Sequence, residues 1–338
     1  VNDKWWSFLF GSVMLACTAL FVVAPIVGWW LPPITSEHGA DIDMLWYLIQ
    51  AITGFFFILT EGLLVAFMFR YAAREPGQVL APSPLTKVFA PLTKLFNTAH
   101  KVEMAWSIVP AVILLYLAFA QVSTWAEVKY KSRMAADLYK QDAQTPVQVA
   151  ISARQFEWRV RYPSPQTWKE WKKEWQSDPD ADKKKAKKLM DAWVNKPQFD
   201  DIHVPNELHI IKDRHVVVQL STKDVIHSFN SPHMRVKQDA LPGKTIPVWF
   251  KPIASNVTKV PGAKGGFVWL DGGGRDPETG KPKDNALVWE IACAELCGWG
   301  HYRMIGKIYV HDNEQDFLEW LEYAAARQND FGATAAAK

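Results

Sequence analysis

The stretch Cys293-Ala-Glu-Leu-Cys297-Gly-Trp-Gly-His301-Tyr-Arg-Met304 decides how this chain is read. It sets two thiols, an imidazole and a thioether at C-x3-C-x3-H-x2-M spacing. Cysteine and methionine sulfur select copper or iron–sulfur chemistry, and imidazole suits copper and zinc. Zinc fits poorly, because its usual ligands are Cys, His and carboxylate rather than Met. A mononuclear blue-copper site takes one Cys, two His and a weak axial Met, so one Cys is left over. Two thiolates can instead bridge two metal ions, which calls for a second His and a second weak ligand. A disulfide or a zinc clip between Cys293 and Cys297 is the plainer alternative.

A second His stands in Asp224-Val-Ile-His227-Ser-Phe. It follows the alternating run His215-Val-Val-Val-Gln-Leu-Ser-Thr, which reads as a strand entering a loop. Loops at one end of a sandwich can bring His227 and Cys293 together although they are 66 positions apart. The backbone carbonyl of Glu295, held between the cysteines, is a candidate for the second weak ligand. His203, His209, His215, His233 and His311 lack ligand spacing.

The chain has 338 residues, enough for a membrane part and one globular domain. Its net charge of +3 is too mild to suggest nucleic-acid binding. Three cysteines make a poor disulfide framework, and the third, Cys17, lies in an apolar run. Residues 8–31 and 105–126 carry no charge and residues 44–69 carry one, Glu61, so three stretches reach the roughly 20 residues that span a bilayer. The first is too long for a signal-peptide core and reads as a retained helix, with Trp5-Trp6 and Trp29-Trp30 at its interfaces. The loop 32–43 has no Lys or Arg, whereas 70–104 carries Arg70, Arg74, Lys87, Lys94 and Lys101. The basic loop belongs in the cytoplasm, which places everything after residue 126 outside.

The expected organisation is a membrane α-helical N-terminal part with three transmembrane helices, followed by an all-β domain with a helical insertion. Residues 1–43 hold the first helix and an external loop, 44–126 a helix hairpin, and 127–145 a polar linker. The β domain covers 146–312, with strands at 146–153, 207–220, 245–250, 286–292 and 306–310. Short strands separated by turn residues suggest an antiparallel sandwich. Insertions interrupt it at about 166–197 and about 257–282. In the first, Trp168, Trp171 and Trp175 share a helical face ahead of the Lys183–Lys188 basic run, which reads as packing on the domain or as a docking surface. Residues 313–338 form an amphipathic helix and a frayed tail.

Together, the Cys293–Met304 segment, Asp224-Val-Ile-His227-Ser-Phe and Lys237-Gln-Asp239-Ala-Leu-Pro242-Gly243 resemble the dinuclear CuA domain of subunit II of cytochrome c oxidase. The resemblance implies a cupredoxin-like Greek-key barrel. It implies dinuclear copper held by His227, Cys293, the Glu295 carbonyl, Cys297, His301 and Met304. It implies a magnesium or manganese ion, shared with subunit I, at the Glu295 side chain. Quinol oxidases of the same superfamily lose the thiolates, so retention of all six positions implies a one-electron protein donor, a cytochrome c. That donor is a separate protein or part of a neighbouring complex, since the chain has no C-x-x-C-H haem motif. His100, Glu103, Trp106 and Pro110 resemble the family's His…Glu-x-x-Trp-x-x-x-Pro signature, which implies proton entry at Glu103; a solvated interfacial carboxylate is the alternative. The family's Gln-Trp-x-Trp reads Gln155-Phe156-Glu157-Trp158 here, which places Phe156, then Trp158, as candidates for electron entry. The implied partners are subunit I and the other oxidase subunits, in the bacterial inner membrane, with the copper domain on the periplasmic side. An electron-input subunit of a nitric oxide reductase and a zinc-stabilised interaction module are the competing readings.

Overall fold

A computed structural model of the protein describes residues 4–71, 94, 98–129, 144–178, 183–261, 267–270 and 288–336. Most of the basic loop 70–104 and of the linker 127–145 lies outside them. The chain divides into two compact units, residues 1–31 with 43–124 and residues 32–42 with 125–338.

The first unit is helical. α1 (Lys4–Ile26), α2 (Gly39–Tyr71) and α3 (Ala99–Ala120) are followed by a short α4 (Val122–Lys129). Among the described residues, three stretches, Lys4–Ile26, Gly39–Tyr71 and His100–Lys129, are long and apolar enough to cross a bilayer. α1 packs on α2 where small residues allow it: a Cβ at Gly54 would stand 2.8 Å from the Phe21 ring. Trp30 meets Trp46 edge-on at 5.2 Å, the kind of aromatic pairing expected near a membrane interface. α3 begins earlier than the apolar run predicts. Thr98 caps it by accepting from Lys101 N, so Pro110 lies inside the helix rather than near its start. That costs one backbone hydrogen bond, which apolar spans tolerate.

The second unit is a sandwich of two five-stranded sheets. One has the order β3 (Ile202–Pro205), β2 (Glu157–Tyr162), β1 (Val147–Arg154), β5 (Val216–Thr222), β8 (Ile246–Phe250). The other has β4 (Glu207–Ile211), β12 (Ile305–His311), β11 (Trp289–Cys293), β6 (His227–Ser231), β7 (Val236–Ala240). Alternate residues of β1, among them Val147, Val149 and Ile151, point into the core with Trp158, Phe229 and Trp289. The second insertion contains a β9–β10 hairpin, Thr258–Pro261 with Phe267–Leu270.

Three expectations are corrected. The sandwich is mixed, because β1 runs parallel to β5 and β4 parallel to β12. The single run at 207–220 is two strands in different sheets. The polar turn Lys212-Asp213-Arg214, with Asp213 at φ +56°, breaks it and sends the chain across. The closing helix is also longer than its amphipathic core, running from Glu314 to Ala336 as α7.

The first insertion is a helical hairpin, α5 (Pro165–Ser177) and α6 (Lys184–Asn195). Ser164 caps α5 by accepting from Thr167 N, and Pro165 fills the first helical position. Trp168, Trp171 and Trp175 are buried, with Trp171 edge-on to Trp193 of α6 and Trp168 against Phe317 of α7. A buried Arg161–Asp201 pair at 2.6 Å anchors the hairpin, because Arg161 also donates to the Trp193 and Val194 carbonyls.

Between β4, β12 and α7 lies a buried imidazole pair. His209 is stacked between Tyr309 at 4.3 Å and Trp320 at 3.7 Å. Its Nδ1 is 2.9 Å from His311 Nε2, and His311 Nδ1 is 2.6 Å from Asp316 Oδ2. Burial, helped by the neighbouring His311, holds His209 well below the ordinary imidazole range. Burial also lowers His311, against the pull of Asp316. A lowered imidazole pKa means the fold binds neutral rings. Stability is then complete above the ordinary value of about 6.5 and falls as pH drops through it. Denaturant unfolding between about pH 7 and about pH 5 should show this loss, and His209→Gln should reduce the slope. A wild-type profile flat over that window would contradict the assignment.

Candidate metal centre

The residues singled out in the sequence meet at one end of the second sheet. β6 pairs antiparallel with β11, Ala292 opposite Asn230 and Cys293 opposite Phe229. His227 at the start of β6 is thereby brought beside Cys293 at the end of β11. The chain then loops through residues 294–300, makes a 3-10 turn at His301–Arg303 and enters β12. Cys293 N donates to Met304 O and Ala294 N to Ser228 O, which close the loop on both sides.

The donor atoms are arranged about the two sulfurs. Cys293 Sγ and Cys297 Sγ are 3.8 Å apart, far beyond the roughly 2.05 Å of a disulfide. Two sulfurs each about 2.3 Å from one tetrahedral metal stand about 3.8 Å apart, so the pair is spaced to share an ion. His227 Nδ1 is 3.8 Å from Cys293 Sγ, and His301 Nδ1 is 3.6 Å from Cys297 Sγ. Each sulfur also has a weaker donor: the Glu295 carbonyl lies 3.2 Å from Cys293 Sγ, and Met304 Sδ 3.9 Å from Cys297 Sγ. The ligand atoms of His227, Cys293 and Cys297 all lie within 4.8 Å of one another. Cys293, Cys297, His227 and Met304 are buried. The set is soft, nearly dry and symmetric about the two sulfurs, which fits a pair of copper ions better than one zinc ion.

Supporting groups set the orientation. His227 Nε2 is 2.8 Å from Asp224 Oδ1. A carboxylate only accepts, so Nε2 carries the ring proton and Nδ1 is free to bind metal. Burial works against ionising Asp224, but hydrogen bonds from Gln155 N, His227 and Val225 N outweigh it and hold the carboxyl below its usual range. Burial pushes the Cys297 thiol up to about 11, and the neighbouring Cys293 adds to the rise. A bound cation reverses that preference, since coordinated thiols are deprotonated.

Gln155 Nε2 donates to Cys297 O at 2.5 Å, and the adjacent Phe156 ring lies on the loop. A Cβ at Gly300 would stand 2.5 Å from Phe156 Cδ2, and one at Gly298 3.2 Å from Cζ, so both positions need glycine. Gly298 also sits at φ +132°. Trp158 is fully buried, its ring 6.3 Å from that of His227 and 5.9 Å from that of Phe229.

The Glu295 side chain is exposed, and among the described residues it joins no group of three metal-binding side chains. Glu103 is exposed in the second turn of α3. The parts played by Asp224, Gln155 and the two glycines were not deduced from sequence. The only signal was their closeness in the chain to His227, Phe156 and Cys297. His38, Asp41 and Glu127 form a second group within 4.8 Å, which no spacing announces because Glu127 is remote in sequence.

The family model for the periplasmic domain of cytochrome c oxidase subunit II matches residues 166–257, a stretch that contains His227. Cytochrome c oxidase subunit 2 of Thermostichus vulcanus is 26% identical over 343 residues, covering 93% of this chain and 85% of that protein. Alternative cytochrome c oxidase subunit 2 of Bradyrhizobium diazoefficiens is 32% identical over 124 residues, 36% of this chain and 33% of that protein. The crystal structure of the periplasmic domain of subunit II from Bradyrhizobium japonicum aligns with a TM-score of 0.34 at 18% identity, covering 54% of this chain and 96% of that one.

Asp224→Ala should weaken metal binding by about 10–100-fold, because the His227 ring loses its orienting partner. Competition with a chelator of known affinity measures this. Unchanged affinity would mean that Asp224 does not set the His227 tautomer.

Proposed function

We propose an electron-entry role for this chain, which belongs to the cytochrome c oxidase subunit II family. The observation that carries the proposal is the pair of sulfurs 3.8 Å apart with one imidazole Nδ1 at each end. A dinuclear copper centre, when bound, supplies a one-electron couple whose charge is shared over both metals and both thiolates. His227, Cys293, the Glu295 carbonyl, Cys297, His301 and Met304 are the proposed ligands.

The chain's own residues do the rest. Asp224 fixes His227, Gln155 tethers the Cys297 carbonyl, and Phe156 packs on Gly298 and Gly300 of the loop. Burial and these hydrogen bonds tune the redox potential. The electron comes from a cytochrome c and leaves for haem in subunit I, where oxygen is reduced to water with proton translocation. The chain acts as one subunit of that enzyme. Phe156, packed on the ligand loop, and Trp158, whose ring is 6.3 Å from that of His227, are the aromatic residues proposed to carry the electron inward. The exposed Glu295 side chain is available for magnesium or manganese shared with subunit I. Glu103, at the positive end of α3, suits proton entry from the cytoplasmic side. This assignment places the β domain on the periplasmic face of the bacterial inner membrane.

Copper loading of the purified protein, followed by EPR and visible–near-infrared absorption, tests the reading. The expected result is a mixed-valence spectrum with hyperfine structure from two equivalent coppers. Cys297→Ser should abolish that spectrum, whereas Met304→Leu should retain copper and shift the potential. A blue mononuclear signal, or a colourless zinc protein, would overturn the ligand assignment.

A further inference from the structure

We infer that Trp299 is the residue that contacts the donor and receives its electron, with Phe156 as the ring behind it; this rests on the electron-entry role proposed above. The ligand loop turns its donor side chains inward and three large side chains outward: Leu296, Trp299 and Tyr302. Trp299 is 75% exposed although it lies between two proposed ligands, Cys297 and His301. Its ring is held in place. It meets Phe156 edge-on at 5.2 Å, and the Arg303 guanidinium sits 4.4 Å from its centroid.

Phe156 completes the connection. Its ring is in close contact with Gly298 and Gly300, the residues that follow Cys297 and precede His301, and glycine at both positions permits that approach. The contacts therefore run from solvent to Trp299, to Phe156, to the backbone beside both ligands. Trp158 cannot meet a donor protein, because it is fully buried. Tyr302 is as exposed as Trp299 but makes no ring contact with Phe156 among the described residues.

An exposed aromatic ring with an adjacent arginine suits the edge of an exposed haem, whose propionates complement Arg303. One electron leaves the reduced haem iron of the donor and arrives at the metal pair; no bond forms or breaks and no proton moves.

The test uses the intact oxidase complex with wild-type chain, Trp299→Ala, Trp299→Phe, Phe156→Ala and Tyr302→Ala. Stopped-flow gives the second-order rate of electron delivery from a reduced soluble mono-haem cytochrome c. Surface plasmon resonance gives the dissociation constant of the oxidised cytochrome, and EPR gives the state of the copper site. Trp299→Ala should slow delivery at least about tenfold and weaken binding, as loss of an interface tryptophan does. Trp299→Phe should keep more of both, and Tyr302→Ala should stay within about twofold of wild type. The EPR signal and the rate of reduction by a small-molecule reductant should match wild type in the Trp299 variants. Delivery at the wild-type rate in Trp299→Ala, with slowing only in Phe156→Ala, would falsify the assignment. Equal losses in Trp299→Ala and Tyr302→Ala would overturn it too, since the patch rather than the ring would then matter. A wild-type complex that lacks the two-copper signal, or takes no electron from the cytochrome, overturns the electron-entry role itself and this inference with it.

Discussion

Two thiols and two imidazoles are held within reach of one another with no bond between them, and the local geometry of the β domain serves that arrangement. The pairing of β6 with β11 is what makes it possible. It fixes His227 against Cys293, and the hydrogen bond from Cys293 N to Met304 O returns the chain so that Cys297 and Met304 face the same space. Without a cation the arrangement is unfavourable for ionised sulfur. Burial and the proximity of the two thiols push the Cys297 thiol up to about 11. A metal reverses this by favouring thiolate, and its binding therefore releases protons and stabilises the loop in one step.

What could be read from sequence was what is local. Five of the six proposed ligands lie within one short segment, and the chemistry of the four that act through side chains is visible as spacing. His227 was recognisable from its own motif, and its convergence on Cys293 followed from the loops of a sandwich. Strand direction was not legible. A parallel and an antiparallel partner both leave side chains alternating with period two, so β1 with β5 and β4 with β12 look like ordinary members of an antiparallel array. The run 207–220 hid its break for a related reason. Apolar residues flank the polar turn on both sides, and only the fold shows that they face different sheets. The tryptophans of the first insertion signalled a helical face, but their partners, Trp193 and Phe317, lie on other elements and left no mark in that segment.

The membrane part shows the opposite balance. Its spans were legible from length and hydropathy alone, because a bilayer asks for little else. The roles of its polar residues were not, because they depend on surfaces that other subunits supply. α1, α2 and α3 expose many large apolar side chains, among them Phe55, Phe67, Trp106 and Leu114. Such faces suit lipid or neighbouring helices. A carboxylate such as Glu103 takes its meaning from whichever neighbour covers it.

The ligand loop has two tasks that its side-chain directions keep separate. Cys293, Cys297 and Met304 point inward and are buried, while Leu296, Trp299 and Tyr302 point outward and are among the most exposed apolar residues of the domain. Gly298 and Gly300 sit at the join, where backbone takes the space that a side chain would need and Phe156 closes over it. Inward positions that hold a metal are constrained to within a few tenths of an ångström by metal–ligand distances. Outward positions are constrained only by the partner they meet. A loop built this way can change the surface it presents by substitution at exposed positions while the inward sulfur and imidazole groups stay where they are. The segment Gln155-Phe156-Glu157-Trp158 carries Phe where the family's motif has its first Trp, and a large ring, Trp299, lies on this same outward face, 5.2 Å from Phe156.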